Sequence, residues 1–179
     1  MSFGSIVVLV LFAFVAVTIF KGVRIVPQGY KWIVQRLGKY HTTLNPGLNF
    51  VIPYIDEVAY KVTTKDIVLD IPSQEVISRD NAVLMMNAVA YINLTTPEKA
   101  VYGIENYTWA IQNLVQTSLR SIVGEMDLDD ALSSRDHIKA KLKAAISDDI
   151  SDWGITLKTV EIQDIQPSAT MQSAMEAQA

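Results

Sequence analysis

The sequence predicts an α+β protein that begins with a single transmembrane helix. Three observations predict it. No charged side chain occurs from Met1 to Phe20. Runs of alternating apolar residues with turn signals between them fill Val23 to Asn93, which is strand patterning. From Thr96 to Trp153 the apolar spacing changes to three and four, which is helical, and Ile155 to Ile165 returns to strand.

The first stretch organises the rest. Ile6 to Val17 is unbroken apolar, and only Thr18 interrupts it before Ile19 and Phe20. A helix needs roughly 20 apolar residues to cross a bilayer's hydrocarbon core. Lipid offers backbone amides no partners, so the run must be helical there. The expected anchor is 1–22, with Ile6, Leu9, Leu11, Phe12, Phe14, Ile19 and Phe20 facing lipid. A cleaved secretory signal is the competing reading. It would carry cations before its core and small residues at a cut site. Here the cations, Lys21 and Arg24, follow the core, and no Ala-x-Ala ends it. A buried soluble helix fits less well, because such helices keep a polar face.

Charge orients the anchor. Lys21, Arg24, Lys31, Arg36 and Lys39 precede the first acid, Asp56. Basic residues beside a spanning helix stay cytoplasmic. The N-terminus is therefore expected outside and the body in the cytoplasm. The same basic collar would attract anionic headgroups.

The chain has 179 residues and a net charge of -4. Lys21 to Lys65 holds seven Lys/Arg against two acids, and Asp66 to Ala179 holds eight against seventeen. An acidic outer part argues against a nucleic-acid surface. There is no cysteine, which excludes disulfides, thiolate metal sites and Cys nucleophiles.

Val23 to Leu37 predicts two short strands around Pro27-Gln28-Gly29. Tyr30 and Trp32 fit either an interfacial aromatic belt or a sheet core. Pro46 and Gly47 form a turn before Leu48, Phe50, Ile52 and Pro53. That segment either dips into the headgroups beside the anchor or forms an edge strand. Strands follow at Val58 to Thr64 and Asp66 to Ile71. Beyond Pro72, Glu75 to Ser78 and Ala82 to Asn93 form a hairpin around Arg79-Asp80-Asn81. The second arm is apolar on both faces, so helices or a neighbouring subunit should cover it.

Thr96 and Pro97 start a helix. The next opens at Asn106 or Thr108, carries Ile111, Leu114, Val115, Leu119, Ile122 and Val123, and ends at Gly124. Asp127 to Leu132 reads as an acidic turn. Ser133 then caps a helix with Asp136 as its box acid. Its stripe is Ile138, Leu142, Ile146, Ile150 and Trp153, its lysines form a solvated face, and Gly154 takes the C′ position. In the closing strand, the step from Leu157 to Val160 predicts a bulge. Ser168 starts a last helix that suggests a chain continuing past Ala179.

Catalytic and metal motifs are missing from the sequence. His41 and His137 have no partner at a ligand spacing. No nucleophile-elbow, zincin, Walker or dinucleotide motif occurs. A Ser-Lys dyad stays open. Asn93-Leu94-Thr95 and Asn106-Tyr107-Thr108 match glycosylation acceptors, which mean little in a cytoplasmic body.

Several stretches resemble the SPFH, or band 7, family of stomatins, prohibitins and flotillins. They are Val26-Pro27-Gln28-Gly29-Tyr30, Arg36-Leu37-Gly38-Lys39-Tyr40, Pro46 to Asp56, Ser78-Arg79-Asp80-Asn81-Ala82 and Trp153 to Pro167. Within the family the likeness is to bacterial QmcA-type stomatin-like proteins. The resemblance implies two small α+β SPFH subdomains, expected at 23–95 and 96–166. It implies the start of a long coiled-coil helix at 167–179, truncated here. It further implies large homo-oligomeric rings or cages in the bacterial inner membrane. These would segregate lipid and protein into microdomains, and some members associate with membrane proteases. No catalytic residue, metal or cofactor carries over. The expected function is a non-enzymatic scaffold whose partners are the bilayer and further copies of itself. The alternatives are a membrane-anchored hydrolase and a monomeric lipid-binding module.

Overall fold

The computed structural model describes residues 2–178. The apolar run is one helix, α1 (Phe3–Gly22), of 20 residues. At about 1.5 Å per residue it is ~30 Å long, which matches the hydrocarbon core of a bilayer. Its apolar window is 0% buried. Thr18, the one polar side chain late in the run, donates to the Phe14 carbonyl and so satisfies itself within the helix.

The chain divides into two compact units after Lys65. In the first, β1 (Val23–Val26) follows α1 directly. It pairs antiparallel with β4 (Gly47–Phe50), Val23 opposite Phe50 and Ile25 opposite Leu48. A second sheet has the order β3-β2-β5, built from β2 (Tyr30–Arg36), β3 (Lys39–Leu44) and β5 (Asp56–Thr63). Sequence patterning missed β3, because Lys39, His41, Thr42 and Thr43 hide its alternation. The turn into it is Leu37-Gly38, both at positive φ, the geometry that a two-residue hairpin wants. Val26, Val34, Leu44 and Val51 form this unit's core, with Trp32 and Val58 packed on it. Gly22 lets the end of α1 sit tight against this core. The Val51 amide donates to its carbonyl at 2.8 Å.

The second unit is built on a sheet of order β6-β7-β8: β6 (Ile67–Ile77), β7 (Val83–Leu94) and β8 (Ile155–Pro167). The expected break at Pro72 is a register shift inside one strand. Proline is tolerated there because β6 is an edge strand. The expected boundary between 95 and 96 falls inside this unit, since β7 pairs with β8 along its whole length. The expected bulge in β8 is present, where the register shifts opposite Tyr91/Ile92.

Between β7 and β8 lie α2 (Pro97–Tyr102), α3 (Tyr107–Gly124), α4 (Leu128–Ser133) and α5 (Arg135–Ser151). Asn106 caps α3, accepting from the Trp109 amide at 3.1 Å. Ile111, Val115, Leu119, Ile122 and Val123 of α3 are buried, as are Ile138, Leu142, Ile146 and Ile150 of α5. They pack on one face of the sheet, where Leu84, Met86, Ala88, Ala90, Ile92 and Leu94 of β7 are also buried. The opposite face of β7 is mostly half-buried, with Tyr91 more open. Among the described residues, α3 and α5 therefore cover one side of the sheet.

Two helix boundaries differ from expectation. The acidic turn at Asp127 is the N-cap of α4, whose first-turn acids Asp129 and Asp130 favour a helix start. Ser133 ends α4, and Ser134 rather than Ser133 is the N-cap of α5. Two lysines of the expected solvated face reach β8 instead. Lys139 pairs with Glu161, and Lys143 donates to the Lys158 carbonyl. The 78–82 turn is held by Ser78, which bonds Asp80 and accepts from the Ala82 amide. Arg79 pairs with Asp127, which ties the turn to α4. Ser168 caps α6 (Ala169–Glu176).

Candidate membrane-contact surface

The apolar surface does not stop at the end of α1. In β1 and β4, paired residues share a face. Val23, Ile25, Leu48 and Phe50 therefore line one side of the ribbon, and Val26 and Asn49 the other. The second side is the core side, since Val26 is 2% exposed. The first side is open: Ile25 is 70%, Leu48 64% and Phe50 67% exposed. Beyond β4, Ile52 and Tyr54 are exposed too. The expected loop residues Leu48, Phe50 and Ile52 thus lie outward, and Pro46 and Pro53 flank them half-buried. The segment is an edge strand whose apolar side stays uncovered. Gly47 opens β4 at φ +114, which suits glycine.

Ile25 was not foreseen as part of this surface. Only its pairing with Leu48 puts it there. The anchor residues Ile6, Leu9, Leu11, Phe12, Phe14, Ile19 and Phe20 are all exposed along α1.

A half-buried ion pair braces the segment. Arg36 of β2 grips Asp56 of β5 with both arms, Nε to Oδ1 at 2.7 Å and Nη2 to Oδ2 at 3.1 Å. Asp56 also accepts the Ile52 amide at 3.0 Å. Its side chain is 2% exposed. The Arg36 hydrogen bonds are the main reason its carboxyl is lowered to about 2. The same contact raises Arg36. A carboxylate so held stays charged at neutral pH and fixes the 52–56 turn, and with it the exit of β4.

The five basic residues do not act alike. Lys21 stands exposed in the last turn of α1, where a cation also suits the helix dipole. Arg24 is half-buried on the core side of β1, and Lys31 is half-buried in β2. Arg36 is occupied by Asp56. Lys39 is exposed at the β2–β3 turn. Among the described residues no group of three or more His, Cys, Asp or Glu is placed to hold a metal.

Residues 24–179 match the SPFH domain / Band 7 family. The chain belongs to that family. It is 40% identical over 160 residues to an uncharacterized protein of Methanocaldococcus jannaschii, covering 89% of this chain and 80% of that one. It is 36% identical over 156 residues to stomatin-like protein 2, mitochondrial, of Homo sapiens, covering 87% and 44%. An uncharacterized protein of Mycobacterium tuberculosis is 37% identical over 171 residues, covering 96% and 44%. The chain thus spans less than half the length of the latter two. The SPFH match begins two residues after α1, so the open ribbon face is the first surface of the SPFH domain itself.

Proposed function

We propose that this SPFH chain is the membrane-anchored part of a non-enzymatic scaffold that gathers in the plane of a membrane. One observation carries the reading: beyond the exposed apolar helix α1, the outer side of β1 and β4 again exposes apolar side chains, Ile25, Leu48 and Phe50. A water-facing patch of that size would be a liability in a monomeric soluble protein. Against a bilayer it is favourable. α1 crosses the hydrocarbon, and Ile25, Leu48, Phe50 and Ile52 rest in the interface beside it. Lys21, at the helix end, meets the headgroups. The basic flank supports a body on the cytoplasmic side and an N-terminus outside, and the proposed membrane is a bacterial inner membrane.

Copies held at one height and one orientation pack side by side. A head-to-tail interface whose rotation closes yields a ring. The ring of anchors then fences lipid and protein into a microdomain, and membrane proteases meet or miss their clients according to which side they occupy.

These 179 residues hold no cysteine, so single cysteines can be placed cleanly in them. A dye at Leu48→Cys or Phe50→Cys in liposomes should be quenched by headgroup-labelled lipids more than one at Leu37→Cys, which is exposed but off the ribbon face. Equal quenching at 50 and 37 would sink the interfacial contact. Electron microscopy of the complete protein in mild detergent tests assembly, and small uniform particles would refute the ring.

A further inference from the structure

The sheet of the second unit has a side that α3 and α5 do not cover. Antiparallel partners share a face. Leu84, Met86, Ala88 and Ala90 of β7 turn towards the helices, so Val83, Met85, Val89 and Tyr91 turn the other way. β6 adds Val68 beside Tyr91 and Ile77 beside Val83. Val68 and Ile77 are each 57% exposed and Tyr91 is 36% exposed. An apolar stripe therefore runs along β7 with both of its ends open.

Negative charge borders that stripe on both sides. Asp70 of β6 and Glu161 of β8 are the partners of Val89, Glu75 of β6 is the partner of Met85, and Asp164 of β8 that of Asn87. All four acids are exposed. The positions paired with this side of β7 include no Lys or Arg. One described ion pair reaches it, from Lys139 of α5 to Glu161. The edges of the sheet are already taken. Gln112 of α3 donates to the Asp70 carbonyl at 2.8 Å, and Arg135 and Lys143 of α5 donate to the Gln163 and Lys158 carbonyls. A partner therefore meets the face and does not add a strand. A second copy laid face to face would set acids against acids. The dimensions suit a helix. From 83 to 91, β7 runs roughly 26 Å at about 3.3 Å per residue, which about 17 helical residues span at about 1.5 Å each. A helix is about 10 Å across, so one laid on β7 carries its flanks over β6 and β8, each about 4.8 Å to the side.

We propose that this face docks an amphipathic basic helix of a partner protein. The apolar stripe of that helix lies on Met85, Val89 and Tyr91. Lys or Arg on its flanks pair with Asp70 and Glu75 on one side and with Glu161 and Asp164 on the other. Rim pairs of this kind set orientation and partner choice, and the buried apolar stripe supplies most of the affinity. The described helices of this chain do not offer the pattern. α1 carries no cation before Lys21, α6 carries none, and the stripes of α3 and α5 are already buried. The occupant is therefore another protein. Neither α1 nor a bilayer enters this argument, so it goes beyond the scaffold reading and stands apart from it.

The probe is a fluorescent helical peptide of about 17 residues, with Leu on one stripe and Lys on both flanks. The full chain is held in nanodiscs of choline phospholipid, and peptide anisotropy is read against empty discs. The peptide should bind about tenfold tighter than the same Leu stripe flanked by Glu, and about tenfold tighter than a scrambled sequence of equal charge. The doubly reversed chain, Asp70→Lys with Asp164→Lys, should lose that preference and take the Glu-flanked peptide instead. Tyr91→Ala should weaken binding about fivefold, and Leu37→Ala, off this sheet, should leave it unchanged. If the reversed chain does not fold, Glu75→Lys and Tyr91→Ala carry the test. Equal binding of the Lys-flanked and scrambled peptides, or binding unmoved by Glu75→Lys and Tyr91→Ala, overturns the proposal. A photo-crosslinker at position 91 in cells should then mark a helix of another protein whose apolar stripe is flanked by Lys or Arg. Marks confined to another copy of this chain, or to segments without that pattern, overturn it as well.

Discussion

Gly154 is the position where one methyl group should cost most. It lies three residues past the end of α5 at φ +68, where side chains bring Cβ against the backbone. A Cβ there would also lie 2.5 Å from the Thr96 carbonyl oxygen, 2.8 Å from the Thr96 Cβ and 2.8 Å from the Lys99 Cβ. None of these is the loose end of a long side chain. The Thr96 amide donates to the Gly154 carbonyl at 2.9 Å, so pushing Thr96 away also strains that bond. Left-handed backbone with a Cβ costs about 1–2 kcal/mol. Alanine recovers roughly 0.5 kcal/mol by stiffening the unfolded chain. Overpacking adds about 1–3 kcal/mol, and a weakened hydrogen bond about 1 kcal/mol. Gly154→Ala should therefore lose about 3 kcal/mol or more. Gly38→Ala isolates the first two contributions. Gly38 has φ +82 and nothing within 4 Å of its would-be Cβ. It should lose about 1 kcal/mol. Urea unfolding of the full chain in micelles, followed by tryptophan emission and circular dichroism, measures both. If Gly154→Ala fell within about 0.5 kcal/mol of Gly38→Ala, the close approach to Thr96 would be wrong.

Further outcomes follow from the same geometry. The Asp56 carboxyl is lowered from 3.8 to about 2, chiefly by Arg36. The unfolded chain then takes up the proton first, so this stabilisation is full above pH ~4 and fades as pH falls towards 2. Asp56→Asn should flatten that part of the stability–pH curve and lower the melting temperature at pH 7, and an unchanged curve would refute the brace. Leu142 is 0% exposed in α5. Leu142→Ala should lose about 2–5 kcal/mol in the same urea assay, whereas Leu37→Ala, at a turn and 80% exposed, should stay within about 0.5 kcal/mol of the parent. In α1, Leu11→Arg puts a charge near mid-bilayer at about 3 kcal/mol. It should shift a large share of the chain into the carbonate-soluble fraction, and full retention in the pellet would count against a spanning helix.

Sequence alone determined α1, because an uncharged run of that length has one fold compatible with lipid. It determined the buried stripes of α3 and α5, since apolar spacing at three and four reports a buried face directly, though α5 starts at Arg135 and ends at Ser151, short of Trp153. It also marked the outward apolar residues of β4. It did not show β3, whose polar residues carry no alternation, nor that β6 continues through Pro72, since edge position is a property of the sheet. The unit boundary, the exposure of Ile25 and the Arg36–Asp56 brace were settled only by tertiary structure. Each depends on which strand lies beside which. Strand pairing joins residues far apart in the chain: Asp56 lies 20 positions from Arg36, and Val89 of β7 faces Glu161 of β8. Local patterning reports the face a residue prefers, while the neighbour across the sheet is chosen by the packing of the whole unit.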